Sequence, residues 1–157
     1  MKKDNYQILL TIMIPIFSGF IFGFYKIGLD DHWWHLANGK AFFETGSFPT
    51  TDIFSFTHYG KPVNNWEWLW DYGTYLIWQK FGAIGIIIFR VFLISSLFSF
   101  FILFIDSFAE FKKEKNFNYY FFLFLIFVFS ALLIHPRLSD RPHLAGYLFM
   151  IIIVSLI

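Results

Sequence analysis

The chain has 157 residues, of which 57% are hydrophobic and 15% are charged, whereas roughly 25% of residues are charged in an average soluble protein. This composition indicates an integral membrane protein. The formal net charge is +1, and no segment combines clustered Lys and Arg with stacking aromatic residues, which excludes the usual pattern of a nucleic-acid-binding surface. The absence of cysteine excludes disulfides, thiol nucleophiles and Cys-based metal sites.

Four apolar segments predict membrane-spanning helices. The first, residues 8–25, has about 18 residues without a charge, close to the ~20 that cross a bilayer core, and we interpret it as an uncleaved signal anchor. The others are residues 83–105, 119–134 and 144–157. The last has about 14 residues and no polar residue closes it, so the sequence predicts a fragment of a longer polytopic protein. The expected fold class is therefore an all-α integral membrane protein, with residues 1–157 forming a single membrane domain.

Basic residues near the predicted spans indicate their orientation. Because cytoplasmic loops are enriched in Lys and Arg, the amino terminus and the second loop are predicted to be cytoplasmic. The long loop 26–82 and the short loop 135–143 then lie outside. Arg137 and Arg141 are in that short loop, on the disfavoured side, which weakens the predicted orientation unless these arginines are needed there. The basic residues behind this orientation are Lys2, Lys3, Lys112, Lys113 and Lys115.

The long outer loop contains two helix patterns separated by a turn-rich middle. The first helix opens at Asp30 or Asp31, either of which suits an N-cap. It is predicted to lie along the membrane surface, with Trp33 and Trp34 at headgroup depth. On this helix Asp31, His35, Asn38 and Phe42 form one stripe, and Asp30, Trp34, Ala37 and Ala41 form the neighbouring one.

The second helix of this loop begins near Asn64 or Asn65. Either asparagine can cap it, and Glu67 resembles the acid of a capping box. Glu67 and Asp71 fall one turn apart on one face, where two like charges disfavour the helix, so we expect a cation between them. The helix is also rich in tryptophan, which is typical of a membrane interface. The middle segment, with Gly46, Pro49, Gly60 and Pro62, predicts an ordered surface loop.

The polar residues at the predicted membrane boundary allow two interpretations each. Asp30 and Asp31 are either a helix cap with a solvated charge or a catalytic carboxylate that acts as a general base. Asp31, His32 and His35 lack the wider spacing of a recognisable zinc site, so no metal ligands are assigned.

The arginines also have alternative interpretations. Arg90, within the second span, either snorkels to the surface or binds an anionic headgroup. In the short outer loop, one of Arg137 and Arg141 can pair with Asp140, which leaves the other to meet a phosphate. A solvated loop is the alternative for this segment.

The order of these features resembles a known family. The chain resembles the start of a GT-C-type membrane glycosyltransferase. The resemblance rests on a first span, a loop that opens on paired acids, the segment GSFPTTDIFSFTHYGKPVNNWEWL, and further spans with DRPH on the outer side. The nearer resemblance is to bacterial relatives of the protein O-mannosyltransferases and lipid A aminoarabinose transferases. The matching positions are Asp30, Asp31, Trp33, Trp34, His35, Gly39, Gly46, Pro49, Asp52, Phe54, Ser55, Glu67, Trp68 and Leu69. The chain departs from the pattern at Trp66, where relatives often have His.

This resemblance implies transfer of a sugar from a polyprenyl-phosphate donor to a lipid, glycan or protein acceptor, at the outer face of the bacterial inner membrane. Asp30 or Asp31 would orient or deprotonate the acceptor hydroxyl. The departing phosphate would be stabilised by Arg90, Arg137 or Arg141. His35, Glu67 and Asp71 would help to bind the substrate, and a divalent cation could take part.

Two other classes compete with this interpretation. The first is a non-catalytic polytopic membrane protein, such as a transporter or an assembly subunit. Transporters place charges near the bilayer midplane and often contain inverted repeats, whereas here polar residues gather at the predicted outer edge. The second is an inactive truncated relative of the glycosyltransferases.

Overall fold

The computed structural model describes residues 3–28, 31–107, 117–134, 138 and 140–156, and most of these residues are helical. Within them, extended pairing is limited to an antiparallel bridge between Thr51 and Pro62. The predicted all-α class is therefore confirmed. The helices are α1 (Lys3–Gly23), α2 (His32–Thr45), α3 (Trp68–Ser107), α4 (Phe117–Ile134) and α5 (Pro142–Leu156).

Helix α3 is interrupted at Gly82, which has φ 59° and ψ −151°. A glycine adopts positive φ without the steric cost that a Cβ atom brings. This interruption falls at the predicted border between the outer loop and the second span. By length and composition, one helix in the described part of the chain could cross a membrane; it covers Trp68–Ile105 and has a mean hydropathy of 2.5 over its most apolar window.

The other predicted spans correspond to shorter apolar helices. These cover Ile12–Gly23, Phe121–Ser130 and Pro142–Leu156. Their existence as helices agrees with the sequence pattern, and their crossing of a bilayer stays a prediction. The basic residues used for the orientation lie outside the described residues, except Lys3 at the first position of α1.

The chain divides into two compact units. The first combines Met1–Lys26 with Ile87–Ile157, and the second is Ile27–Ile86. The second unit has nearly the bounds of the predicted outer loop.

In the first unit α1 packs closely on α3 through two glycines one helical turn apart. A Cβ atom at Gly19 would lie 2.9 Å from the carbonyl oxygen of Val91, and one at Gly23 would lie 3.0 Å from the Val91 Cα atom. Small residues four apart let helix backbones approach closely, as in many membrane helix pairs. Pro15 is buried inside α1, which continues through it.

In the second unit α2 packs on the start of α3. A Cβ atom at Gly39 would lie 2.1 Å from the carbonyl oxygen of Asp71, so only glycine permits this approach. The end of α2 is fixed by Gly46, which has φ 72° and donates its backbone N–H to the Phe42 carbonyl at 2.8 Å. The Phe42 and Phe48 rings stack at 4.1 Å between centroids, which ties the segment after α2 back onto the helix.

Candidate functional site

The second unit contains a buried histidine–aspartate pair. His35 Nδ1 on α2 lies 2.6 Å from Asp71 Oδ1 on α3, although the two residues are 36 apart in the sequence. Their side chains are 3% and 0% exposed. The contact fixes the orientation of the imidazole ring and directs its other nitrogen, Nε2, away from Asp71.

The second oxygen of Asp71 is held by an asparagine. Asn65 Nδ2 donates to Asp71 Oδ2 at 2.6 Å, and Asn65 Oδ1 accepts the backbone N–H of Glu67 at 3.0 Å. Both carboxylate oxygens of Asp71 therefore have a partner, which a buried carboxylate requires.

Glu67 lies on the other side of the imidazole. Its Oε2 atom is 3.9 Å from His35 Nε2, and its side chain is 41% exposed. The His35 ring thus lies between the carboxylates of Glu67 and Asp71, at the position for which the sequence predicted a cation; an imidazole is a cation only when both of its nitrogens carry protons. An imidazole that is oriented by one carboxylate and faces a second, partly exposed carboxylate can exchange protons or bind a hydroxyl group. We call His35, Asn65, Glu67 and Asp71 the histidine cluster.

The start of α2 differs from the predicted cap. Asp31 occupies the N-cap position, but it has helical angles of φ −58° and ψ −7°, and its side chain makes no capping hydrogen bond. The predicted N-cap position of Asp31 is therefore confirmed, whereas the side-chain hydrogen bond of a cap, which normally accompanies a non-helical backbone, is not formed. The Asp31 side chain is exposed. Asp30 lies outside the described residues.

The start of α3 also differs from the prediction. The helix begins at Trp68, so Glu67 precedes it and is not the third residue of a capping box. The Glu67 carboxylate instead approaches His35, and Asn65 binds Asp71.

The polar stripe predicted for α2 is buried at its centre, while Asp31 at its start is exposed. His35 and Asn38 are buried, whereas Trp33 and Trp34 are 46% and 39% exposed. This arrangement follows from the bond between His35 and Asp71 across the close approach at Gly39. Trp33 also packs edge-on against Trp78, with 5.5 Å between the rings.

No group of three or more His, Asp or Glu side chains suited to a metal ion occurs in the described parts of the chain. Asp31, His32 and His35 therefore do not form a metal cluster there.

Arg90, in the first unit, is engaged by protein groups. Its Nη1 atom lies 2.7 Å from Asp140 Oδ2, and the side chains of Arg90 and Asp140 are 1% and 7% exposed. Its Nε atom donates to the Gly23 carbonyl at 2.8 Å, and its Nη2 atom donates to the Tyr25 carbonyl. The guanidinium also lies 3.7 Å from the centre of the Tyr25 ring. Both predictions for Arg90 are therefore wrong. Its side chain does not extend to the surface, and its guanidinium is bound by protein groups and not by a lipid headgroup.

Asp140 has a partner that the sequence did not indicate. Arg137 and Arg141 are its expected partners, and in the structure Arg90 pairs with it. Arg137 lies outside the described residues. Arg141 is partly buried, and its backbone carbonyl accepts the N–H of Leu144 at the start of α5.

Three contributions were missed from the sequence. The sequence indicates Asn65 as a cap, and its Oδ1 does accept the Glu67 N–H just before α3, but the sequence does not indicate that its Nδ2 also binds Asp71. Gly39 was noted only as part of a motif, although a glycine inside a helix is itself a signal of close backbone approach. Tyr25 gave no signal of its own as a partner of Arg90.

The chain matches no protein-family model, no curated protein and no solved structure.

Proposed function

We propose that this protein is a membrane glycosyltransferase that moves a sugar from a polyprenyl-phosphate donor to an acceptor at the outer face of the membrane. The observation that carries the proposal is the convergence of His35, Glu67 and Asp71. The resemblance implies that these three residues bind substrate, and they lie in one cluster although His35 is on α2, Asp71 is on α3 and Glu67 directly precedes α3.

Within this proposal the second unit binds and activates the acceptor. Asp31 begins α2 one turn before His35, with an exposed carboxylate, and it is the proposed base together with Asp30. Glu67 and the Nε2 atom of His35 would hold an acceptor hydroxyl. Asp71 is a positioning residue, since it contacts His35 and Asn65 from a fully buried site.

Within this proposal the first unit binds the lipid-linked donor. It contains an apolar cavity of about 390 Å³, and ligand cavities in proteins typically measure about 300–1,000 Å³. Such a cavity suits part of an isoprenoid chain. Its lining residues are Leu97, Phe98, Phe101, Ser130, Tyr147, Met150 and Ile151. Arg137 and Arg141 are the proposed phosphate ligands, and Arg90 is not one of them because it pairs with Asp140.

The test is transfer of radiolabelled sugar from a panel of polyprenyl-phosphate donors in membranes that contain the full-length protein. We expect wild-type membranes to transfer sugar, Asp31→Asn to abolish transfer at equal protein level, and Asp30→Asn to be milder. Lys40→Gln, an exposed change on α2 outside the cluster, is the matched control and should keep full activity.

Equal and full activity in both aspartate variants would remove these acids from the mechanism. If the folded, inserted wild-type protein transferred nothing from the whole panel, the proposal would fail, and a non-catalytic membrane protein would become the better interpretation.

A further inference from the structure

The segment between α2 and α3 folds as an ordered loop, residues 50–63, that we call the aromatic loop. Its ends are joined by the bridge between Thr51 and Pro62 and by a hydrogen bond of 2.9 Å from Val63 N to Thr50 O. Asp52 exchanges backbone hydrogen bonds across the loop with Lys61 and Gly60, at 2.8 and 2.7 Å. The backbone is therefore held in one conformation without a helix or a sheet.

Asp52 also organises the tip of the loop. Its Oδ1 atom accepts the backbone N–H groups of Phe54 and Ser55, at 2.9 and 2.8 Å. An aspartate that bonds the backbone two and three residues ahead forms a turn that needs no apolar core. Because this carboxylate is turned toward the loop's own backbone, its charge is partly neutralised by N–H donors.

This loop displays large apolar side chains instead of burying them. Phe56 is fully exposed, Tyr59 is 72% exposed, and Ile53 and Phe54 are each more than two-fifths exposed. Exposed apolar surface costs roughly 25 cal/mol per Å² in water, and contiguous apolar patches usually mark a protein or membrane contact. The fixed backbone thus presents a surface that another apolar phase would cover.

The charges of the loop favour a lipid surface over a protein partner. Lys61 is exposed two residues after Tyr59 in the chain, and His58 is exposed between Phe56 and Tyr59. The loop's one carboxylate, Asp52, is engaged with backbone N–H groups. Aromatic side chains beside a cation match the interface of a bilayer with anionic headgroups, where Tyr and Phe bury their rings and Lys meets phosphate. The first part of α3, a helix long and apolar enough by length and composition to cross a bilayer, belongs to the same unit as the loop.

We propose that the aromatic loop inserts Phe54, Phe56 and Tyr59 into the headgroup region of an anionic bilayer. This contact is separate from any spanning helix and does not depend on the proposed transferase activity. It would hold the second unit against the membrane surface.

The experiment uses the absence of cysteine in this chain. Phe56→Cys and Tyr59→Cys are each labelled with a nitroxide in the full chain, reconstituted in vesicles of equal parts phosphatidylcholine and phosphatidylglycerol. Collision of the label with oxygen, which concentrates in the bilayer, is compared with collision with a water-soluble nickel chelate. Glu44→Cys, at an exposed position of α2 in the same unit, is the matched control.

We expect an oxygen-to-nickel ratio severalfold higher at positions 56 and 59 than at position 44. We further expect Lys61→Gln to lower that ratio in the anionic vesicles and to leave it unchanged in pure phosphatidylcholine. The lysine change spares the loop backbone, because Lys61 contributes its main-chain groups to the loop hydrogen bonds.

Three results would overturn the proposal in whole or in part. Labels at 56 and 59 that are as accessible to nickel as the label at 44 would place the loop in water. Labels protected from both reagents would place it in a protein contact, with another chain or a second copy of this one. An unchanged ratio in the Lys61→Gln variant would overturn the role of anionic headgroups.

Discussion

Arg90 and Asp140, fifty residues apart, form a buried ion pair with 2.7 Å between Nη1 and Oδ2. The guanidinium is also bonded to the carbonyls of Gly23 and Tyr25, so one side chain joins three segments of the first unit. A buried charge is tolerated only when such partners replace its water.

We expect Arg90→Ala to destabilise the first unit by about 3–5 kcal/mol, because it leaves the Asp140 carboxylate buried without its cation. The free energy of unfolding in detergent micelles measures this loss. The double variant Arg90→Met with Asp140→Leu removes both charges and should recover most of the stability. A double variant no more stable than Arg90→Ala would show that the bonds to the backbone, and not the ion pair, carry the effect.

The bond between His35 and Asp71 is expected to stabilise the second unit. His35→Ala removes a buried hydrogen bond to a carboxylate, and we expect a loss of roughly 1.5–3 kcal/mol. Lys40→Ala removes an exposed pair with Glu44, 3.7 Å long, and should cost roughly 0–1 kcal/mol. The measurement is the protection of the α2 backbone amides against hydrogen exchange in the two variants. Equal protection of these amides in His35→Ala and Lys40→Ala would contradict a structural role for the buried pair.

Gly39 and Gly73 provide a matched pair of helical glycines. Gly39→Ala brings a Cβ atom against the Asp71 carbonyl and should destabilise by about 1–3 kcal/mol. Gly73→Ala meets nothing within 4 Å, and the better helix propensity of alanine should stabilise by about 0.4–1 kcal/mol. Thermal unfolding of the two variants should therefore shift in opposite directions. A Gly39→Ala variant as stable as the wild type would mean that the approach of α2 and α3 at this residue is not tight.

The aromatic loop should lose order in acid. Three hydrogen bonds hold the pKa of the Asp52 carboxyl below its ordinary value. In order of decreasing effect, they come from the Ser55 side chain, the Ser55 backbone N–H and the Phe54 backbone N–H, and His58 lowers the pKa further. Because the pKa is lower in the folded state, this stabilisation is complete above the unfolded pKa of about 3.9 and is lost as the pH falls through the folded value.

The amide chemical shifts of Phe54 and Ser55 report this titration directly. Their midpoint should lie below the ordinary aspartate value, and Asp52→Asn should abolish the titration while keeping an acceptor oxygen in place. A midpoint at or above the ordinary value would contradict the stabilising role of these hydrogen bonds.

Much of the local structure could be predicted from the sequence because it depends on neighbours in the chain. Runs of apolar residues predicted α1, α4, α5 and the second part of α3. Gly46 and Gly82 marked ends of elements because their backbones adopt positive φ. The turn-rich middle of the outer loop was predicted as an ordered surface loop, and Asp52 with its hydrogen bonds confirms this.

The pairing of side chains depended on tertiary contacts that no local pattern contains. The sequence predicted a cation between Glu67 and Asp71. It did not indicate that the His35 ring, from another helix, lies between these two carboxylates. The sequence also predicted that Asp140 pairs with a neighbouring arginine, and it did not indicate the ion pair that Asp140 forms with Arg90 of α3.

By itself, then, the sequence determined the helical class, the apolar segments and the polar residues from which a site could be built, since hydrophobic periodicity and turn chemistry act over a few residues. Only the tertiary structure decided which charges meet. A buried charge takes its partner from whatever segment the packing of helices brings within hydrogen-bond distance, and that packing depends on close approaches such as Gly39 on Asp71 and Gly23 on Val91.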